Sequence, residues 1–171
     1  KGAVIKTDGL DVLRLNEHKE KTGSVINFSG AQNLNEDILS QAVDILVLAA
    51  LENSARVDNA NEIKAKLILE LANGPITPEA DEILIGKNIE EIPDILANAG
   101  GVAVSYFEQV QNAYGYYWEE SEVLRKLEKL MVTSFNEVWA QKEKYKSDLR
   151  VGAYALALAR IANAMKDRGM V

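Results

Sequence analysis

Cysteine is absent from the 171 residues, so a disulfide framework, a thiolate metal site and a thiol nucleophile are excluded, and a reducing, cytoplasmic setting fits. The single histidine, His18, lies in a charged segment where a solvated role is expected. Histidine-based catalysis and metal binding therefore have little support, and no metal ligands are assigned. No uninterrupted apolar stretch approaches the roughly 20 residues that span a bilayer, and the beginning lacks the apolar core of a signal peptide. A soluble protein with no membrane partner is expected. The 19 lysines and arginines are scattered and outnumbered by 26 acidic residues, for a formal charge of −7. That balance disfavours a broad electrostatic footprint for nucleic acid or an anionic membrane. Neither a G-x-G-x-x-G at the start of a helix nor a Walker A loop is present, so the pyrophosphate of any bound dinucleotide must be held elsewhere. Internal repeats and low-complexity linkers are also lacking, and with 47% hydrophobic residues one domain around one substantial core is the default. The chain opens on Lys1 and runs at once into the strand-like Ala3-Val4-Ile5, which suggests a beginning inside a larger fold.

The patterning that is present alternates between strands and helices. After residues 3–5, Thr7-Asp8-Gly9 turns the chain, and Leu10, Leu13 and Leu15 mark a charged amphipathic helix ending near Gly23. Residues 25–28 read as a short strand and 29–36 as a polar loop. Two nearly continuous apolar runs, 44–50 and 66–71, are expected to be strands of a parallel sheet covered on both faces. Short helical segments are expected at 58–64 and 77–84, and a further strand around 91–96. Thr77-Pro78-Glu79-Ala80-Asp81 combines a capping hydroxyl, a proline at the first helical position and acidic groups beside the positive end of the dipole. From Gly101 the pattern becomes helical, over about 102–114, 119–145 and 148–168. In the middle helix Val123, Leu127, Met131, Phe135 and Val138 form a core-facing stripe. The last carries Tyr154, Leu158, Ile161 and Met165 among many alanines, so a neighbour can approach its backbone closely.

In an open parallel sheet ligands lie beyond the carboxyl ends of the strands. The three later runs emerge into Leu51-Glu52-Asn53, Ala72-Asn73-Gly74-Pro75 and Ala97-Asn98-Ala99-Gly100-Gly101, bringing an asparagine from each to one rim. An asparagine amide suits an amide or a ribose hydroxyl, and paired glycines let a ligand approach backbone N–H groups. The competing reading is that these are turn residues. Glu52, Glu70, Glu79, Asp81 and Asp94 are read as capping or solvated groups, since sequence does not reveal a pair at acid–base distance. Tyr114, Tyr116, Tyr117 and Trp118 cluster at a helix junction, where packing against a neighbouring domain or subunit is favoured over base stacking.

Several long motifs then point further: Ala49-Ala50-Leu51-Glu52-Asn53, Ala72-Asn73-Gly74-Pro75, Thr77-Pro78-Glu79-Ala80-Asp81, and above all Pro93-Asp94-Ile95-Leu96-Ala97-Asn98-Ala99-Gly100-Gly101-Val102-Ala103-Val104-Ser105-Tyr106-Phe107-Glu108. The chain resembles the C-terminal, nucleotide-binding part of the hexameric glutamate dehydrogenases of the Glu/Leu/Phe/Val dehydrogenase family. The likeness covers essentially the whole chain, including Gly115-Tyr116-Tyr117-Trp118 and Asp148-Leu149-Arg150. It implies an α/β fold, a Rossmann-like, mostly parallel sheet flanked by helices, N-terminally incomplete, with a C-terminal helical segment. All of 1–171 would belong to a partial NAD(P)-binding domain, about 1–100 alternating and about 101–171 helical. It further implies oxidative deamination of L-glutamate to 2-oxoglutarate and ammonia with NAD or NADP, in a homo-oligomer, a hexamer. By the resemblance Ala49 and Ala50 line the cofactor cleft, with Asn53 at the same rim. Asn73 and Asn98 face the nicotinamide-ribose end, and Asn98, Val102 and Ser105 face the substrate, the Ser105 hydroxyl bonding its distal carboxylate. The family's catalytic lysine and aspartate and its glycine-rich pyrophosphate turn precede these motifs. No catalytic residue is therefore assigned to this chain, and turnover needs the remainder of the same polypeptide. Leu71 stands where the family usually has glycine, Leu48 where it has proline, Ile76 where it has threonine and Gln109 where this branch often has tryptophan. Leu71 either obstructs the cofactor or turns into the core. Two alternatives stay open: a non-catalytic interaction module with a degenerate dehydrogenase fold, and a leucine- or phenylalanine-type dehydrogenase. Those relatives share the Asn-Ala-Gly-Gly turn but lack the Ser105-Tyr106-Phe107-Glu108 continuation.

Overall fold

The computed structural model describes residues 2–170, which fall into two compact units. The first comprises the described residues up to Ala42 together with Glu62–Lys64. Strand β1 (Ala3–Ile5) pairs antiparallel with β2 (Gln32–Leu34), with Val4 opposite Asn33. Helix α1 (Val12–Thr22) starts where the Asp11 carboxylate accepts the Arg14 N–H at 3.1 Å and stops at Gly23, whose φ of 76° is the left-handed C-cap conformation.

Two expectations fail in this unit. Residues 25–28 are a turn and the strand lies in the expected loop, because Asn27 and Asn33 exchange two bonds of 2.8 Å, amide to amide and backbone N–H to amide oxygen. Side-chain bonds of this kind offer the backbone an alternative to a ladder. His18, expected to be solvated, is half-buried. Its Nε2–H donates to the Ile26 carbonyl at 3.0 Å and its ring packs edge-on against the buried Phe28.

The second unit holds a parallel sheet of three strands, β3 (Ile45–Leu48), β4 (Leu67–Glu70) and β5 (Glu90–Ile92), in the order β3-β4-β5. Leu46 and Leu48 are buried, but Ile45 is 55% and Val47 47% exposed. Within this unit, then, only one face of β3 is covered, in contrast to the expected two. Between β3 and β4 the expected helix shrinks to a single 3-10 turn at Ala60–Glu62. Helix α2 (Pro78–Gly86) follows the expected cap, with Thr77 Oγ1 accepting the Ala80 N–H and Ala80 and Leu84 fully buried.

The expected strand 91–96 ends early. Pro93 closes it, and Asp94–Ala97 turn as the short helix α3, where Asp94 Oδ1 accepts the Ile95 N–H at 2.7 Å. Helices α4 (Ala99–Tyr114), α5 (Glu120–Tyr145) and α6 (Leu149–Asp167) complete the chain. The α5 stripe faces inward: Val138 joins Leu96, Leu149 and Ala153 in one apolar cluster that Phe135 packs against. On α6 the close approach falls at Gly152, where an added Cβ would lie 2.9 Å from the Val138 carbonyl oxygen. Tyr154, Leu158 and Ile161 remain exposed. At the α4–α5 junction Trp118 packs edge-on against Phe107, whereas Tyr114, Tyr116 and Tyr117 are exposed. Among the described residues no helix is long and apolar enough to cross a membrane.

Candidate functional site

The parallel register fixes where the strand ends meet: Leu48 pairs with Glu70, and Leu69 with Ile92. Beyond these carboxyl ends lies an open cleft of about 700 Å³, lined by Ala49, Ala50, Leu51, Glu52, Leu71, Ala72, Asn73, Asn98 and Val102. Three segments of chain converge there, the ends of β3 and β4 and the junction of α3 with α4.

Asn98 is both the C-cap of α3 and the residue before α4. Its Nδ2 donates to Asn73 Oδ1 at 2.7 Å and to the Leu71 carbonyl at 3.4 Å. Because one amide–amide bond uses one donor and one acceptor, the pair keeps an acceptor on Asn98 Oδ1 and a donor on Asn73 Nδ2 for a ligand. A planar carboxamide or a ribose hydroxyl matches that set. Next along the chain, an added Cβ on Gly100 would touch Leu127 and Met131 of α5, whereas one on Gly101 would meet nothing within 4 Å. Gly100 is thus a packing residue, and Gly101 leaves space beside the start of α4.

The other sequence-assigned residues are distributed as follows. Val102, 72% exposed, lines the cleft. Ser105, three residues further along α4, is exposed and lies outside the lining; its hydroxyl donates back to the Gly101 carbonyl at 3.1 Å. Asn53 adopts φ 51° and is tied to the rim through its backbone, its N–H donating to the Gly74 carbonyl at 2.9 Å, which is the behaviour of a turn residue. Leu71 does not turn into the core: it is 43% exposed and forms part of the cleft wall.

Behind the rim lies a charge cluster that sequence reasoning missed. Glu70 and Glu91, read as solvated carboxylates or passed over, are buried, and Arg150 of α6 bonds both, with Nη2 3.2 Å from Glu91 Oε2. Arg150 Nε also bonds Asp81 of α2 at 3.2 Å, and Asp94 lies 3.8 Å from Nη1. Burial raises the Glu70 carboxyl despite the opposing Arg150 guanidinium. Burial, a hydrogen bond to Asp81 and the charge of Asp81 push Glu91 up to about 9, so at neutral pH it keeps its proton. Burial alone would lower the Arg150 guanidinium, but the bonds and charges of Glu70, Asp81 and Glu91 raise it. The signal available in the sequence was strand alternation, which sets Glu70 on the same face as the fully buried Ile68.

Comparison with known proteins gives the family. The model of the Glutamate/Leucine/Phenylalanine/Valine dehydrogenase family matches residues 1–169. A glutamate dehydrogenase of Thermotoga maritima is 48% identical over 171 residues, covering 99% of this chain and 41% of that protein. An NAD-specific glutamate dehydrogenase of Clostridioides difficile is 48% identical over 168 residues, covering 98% of this chain and 40% of its own length. The chain thus spans about two fifths of the curated relatives it matches. Among solved structures, the hetero-hexameric glutamate dehydrogenase of Thermus thermophilus in its Leu-bound form superimposes with a TM-score of 0.87 at 34% identity, over 95% of this chain and 38% of that one. With nearly all of its residues matched by the family model, this chain belongs to the Glutamate/Leucine/Phenylalanine/Valine dehydrogenase family.

Proposed function

We propose that the complete polypeptide is an NAD(P)-dependent glutamate dehydrogenase and that this chain supplies the nicotinamide-side wall of its cleft. The observation that carries the reading is the Asn98–Asn73 amide pair at the common carboxyl rim of β4 and α3. Its free acceptor and donor complement a carboxamide, and Ala49 and Ala50 keep the facing wall small enough for a ring to enter. NAD(P), when bound, supplies the hydride acceptor for oxidation of the amino acid. The residues of this chain orient and enclose. Asn98 and Val102 border the substrate side of the cleft, and Ser105 lies one turn further on. For the Ser105 hydroxyl to hold a carboxylate it must leave the Gly101 carbonyl, exchanging a neutral bond for a stronger charge-assisted one.

No catalytic acid or base is assigned here; the catalytic lysine and aspartate belong to the remainder of the polypeptide. A cytoplasmic homohexamer completes the reading; the hetero-hexameric Thermus relative supports the assembly of six chains. The test is glutamate-dependent formation of NADH or NADPH by the full-length protein, with leucine and phenylalanine as competing substrates. Turnover of glutamate is expected; no activity with either cofactor would end the assignment. Leu71 in the cleft wall supports a second reading, a family member that has lost its cofactor. Calorimetric titration with NAD(H) and NADP(H) separates the two, since micromolar binding rules the second out.

A further inference from the structure

Arg150 lies outside the cleft on α6, yet its guanidinium meets carboxyl groups from four other elements: Glu70 of β4, Asp81 of α2, Glu91 of β5 and Asp94 of α3. Two of these carry the contact on to the rim. Glu70 Oε2 accepts the Asp94 backbone N–H at 3.0 Å. Asp94 Oδ2 in turn accepts the N–H of Gly74, the residue after Asn73, at 2.8 Å. Its Oδ1 accepts the Ile95 N–H at 2.7 Å, opening the short helix that ends at Asn98. Both members of the amide pair thus hang on backbone that Asp94 fixes, and Asp94 is itself held by Glu70 and Arg150.

We propose that Arg150 is a positioning residue for the Asn73–Asn98 pair: it holds the turn after β4 and the start of α3 at the separation that lets the two amides meet and align a bound ligand. The proposal rests on reading the cleft as the nicotinamide site. The physical reason is the loss of a counter-ion. Glu70 is fully buried, so without the guanidinium its carboxyl either repels Asp94 or takes up a proton and accepts the Asp94 N–H more weakly, and in both cases the link to the rim loosens. A ligand misplaced by about 1 Å can cost about 100-fold in rate. The stabilising role expected of any buried ion cluster does not by itself require the bond to Gly74, which reaches the residue beside the ligand-facing amide.

The experiment uses the full-length protein and compares Arg150→Met, Arg150→Lys, Asp94→Asn and Asn73→Ala. Read out are kcat and KM per folded site, melting midpoint and the fluorescence of bound reduced cofactor. Arg150→Met is expected to lower kcat by about 10- to 100-fold while KM for the dinucleotide moves less than about threefold, with a changed nicotinamide fluorescence. Arg150→Lys should recover part of kcat, because an ammonium keeps the charge but does not span Glu70 and Asp81 together. Asp94→Asn leaves the buried Glu70–Arg150 pair in place and keeps the test open if Arg150→Met does not fold; one of the two N–H groups loses its acceptor, and kcat should fall about tenfold. A wild-type kcat per folded site in Asp94→Asn and Arg150→Lys, with Asn73→Ala impaired, would overturn the proposal and leave the cleft reading standing. A fully active Asn73→Ala would overturn the cleft reading, and the proposal with it.

Discussion

Replacing Gly152 by alanine sets two effects of opposite sign against each other. In a helix interior alanine is favoured over glycine by about 0.8–1 kcal/mol, so propensity alone makes the variant more stable. The structure opposes this. The new Cβ would lie 2.9 Å from the Val138 carbonyl oxygen, 3.0 Å from the Lys142 nitrogen and 3.4 Å from its Cα. All three are backbone atoms of α5, so no side chain can rotate away and the helix axes must separate. That separation would loosen Val138 and Leu149, which are 4% and 1% exposed in the cluster the two helices share. Overpacking of this kind costs about 1–3 kcal/mol. Because only backbone can give way, the clash falls in the upper part of that range, about 2–3 kcal/mol; it outweighs propensity, and a net loss of about 1–2 kcal/mol is expected, or about 2–8 °C in the melting midpoint for a chain of this length. The assay is a thermal melt and a urea titration beside Gly86→Ala, since an added Cβ on Gly86 meets nothing within 4 Å. The two variants should move in opposite directions. A Gly152→Ala chain as stable as the parent would show that α5 and α6 have slack at their closest point and would refute the reasoning.

The raised Glu91 carboxyl makes stability depend on pH. The folded chain keeps this proton up to about pH 9, whereas the unfolded chain loses it near 4.5, so this group's contribution is complete below about 4.5 and declines as pH rises through that window. In Glu91→Gln the decline between pH 6 and 8.5, followed by urea midpoints, should be shallower. An equal slope in both proteins would assign the effect elsewhere. Leu71→Gly in the full-length protein should tighten NAD(H) binding about fivefold, a gain of about 1 kcal/mol, since the leucine protrudes into the cleft; weaker binding by calorimetry would make Leu71 a contact instead. Asp148→Ala should cost about 1 kcal/mol in urea titration, because its carboxylate accepts the Val151 N–H at 2.7 Å; no change would mean that the last helix starts without its cap.

Local chemistry made parts of the fold readable and left others hidden. Helix starts at Thr77 and Asp148, and the stop at Gly23, depend on contacts within a few residues and were found from the residues alone. Strand limits were overextended where a distant group intervenes. The strand expected through Leu96 ends at Ile92 because Pro93 and the Asp94 bonds to Gly74 and Glu70 start a helix there. Asn27 and Asn33 replaced a ladder by side-chain bonds that no period announces. At the rim, the spacing of Asn73 and Asn98 was legible, but their direct bond was not. The acid cluster stayed hidden for a related reason: Arg150 and Glu70 are 80 residues apart, and only the folded chain shows that a carboxylate in an apolar run has a partner.

The amide pair carries no charge and has no proton to lose in the ordinary range. Recognition at that point is accordingly blind to ionic strength and to acidity. Any response of the pair itself to either must arrive second-hand, through the carboxylates and the guanidinium behind it. The two amides and the charged groups that sense the medium behind them are thus distinct, joined by the short backbone path through Gly74 and Asp94.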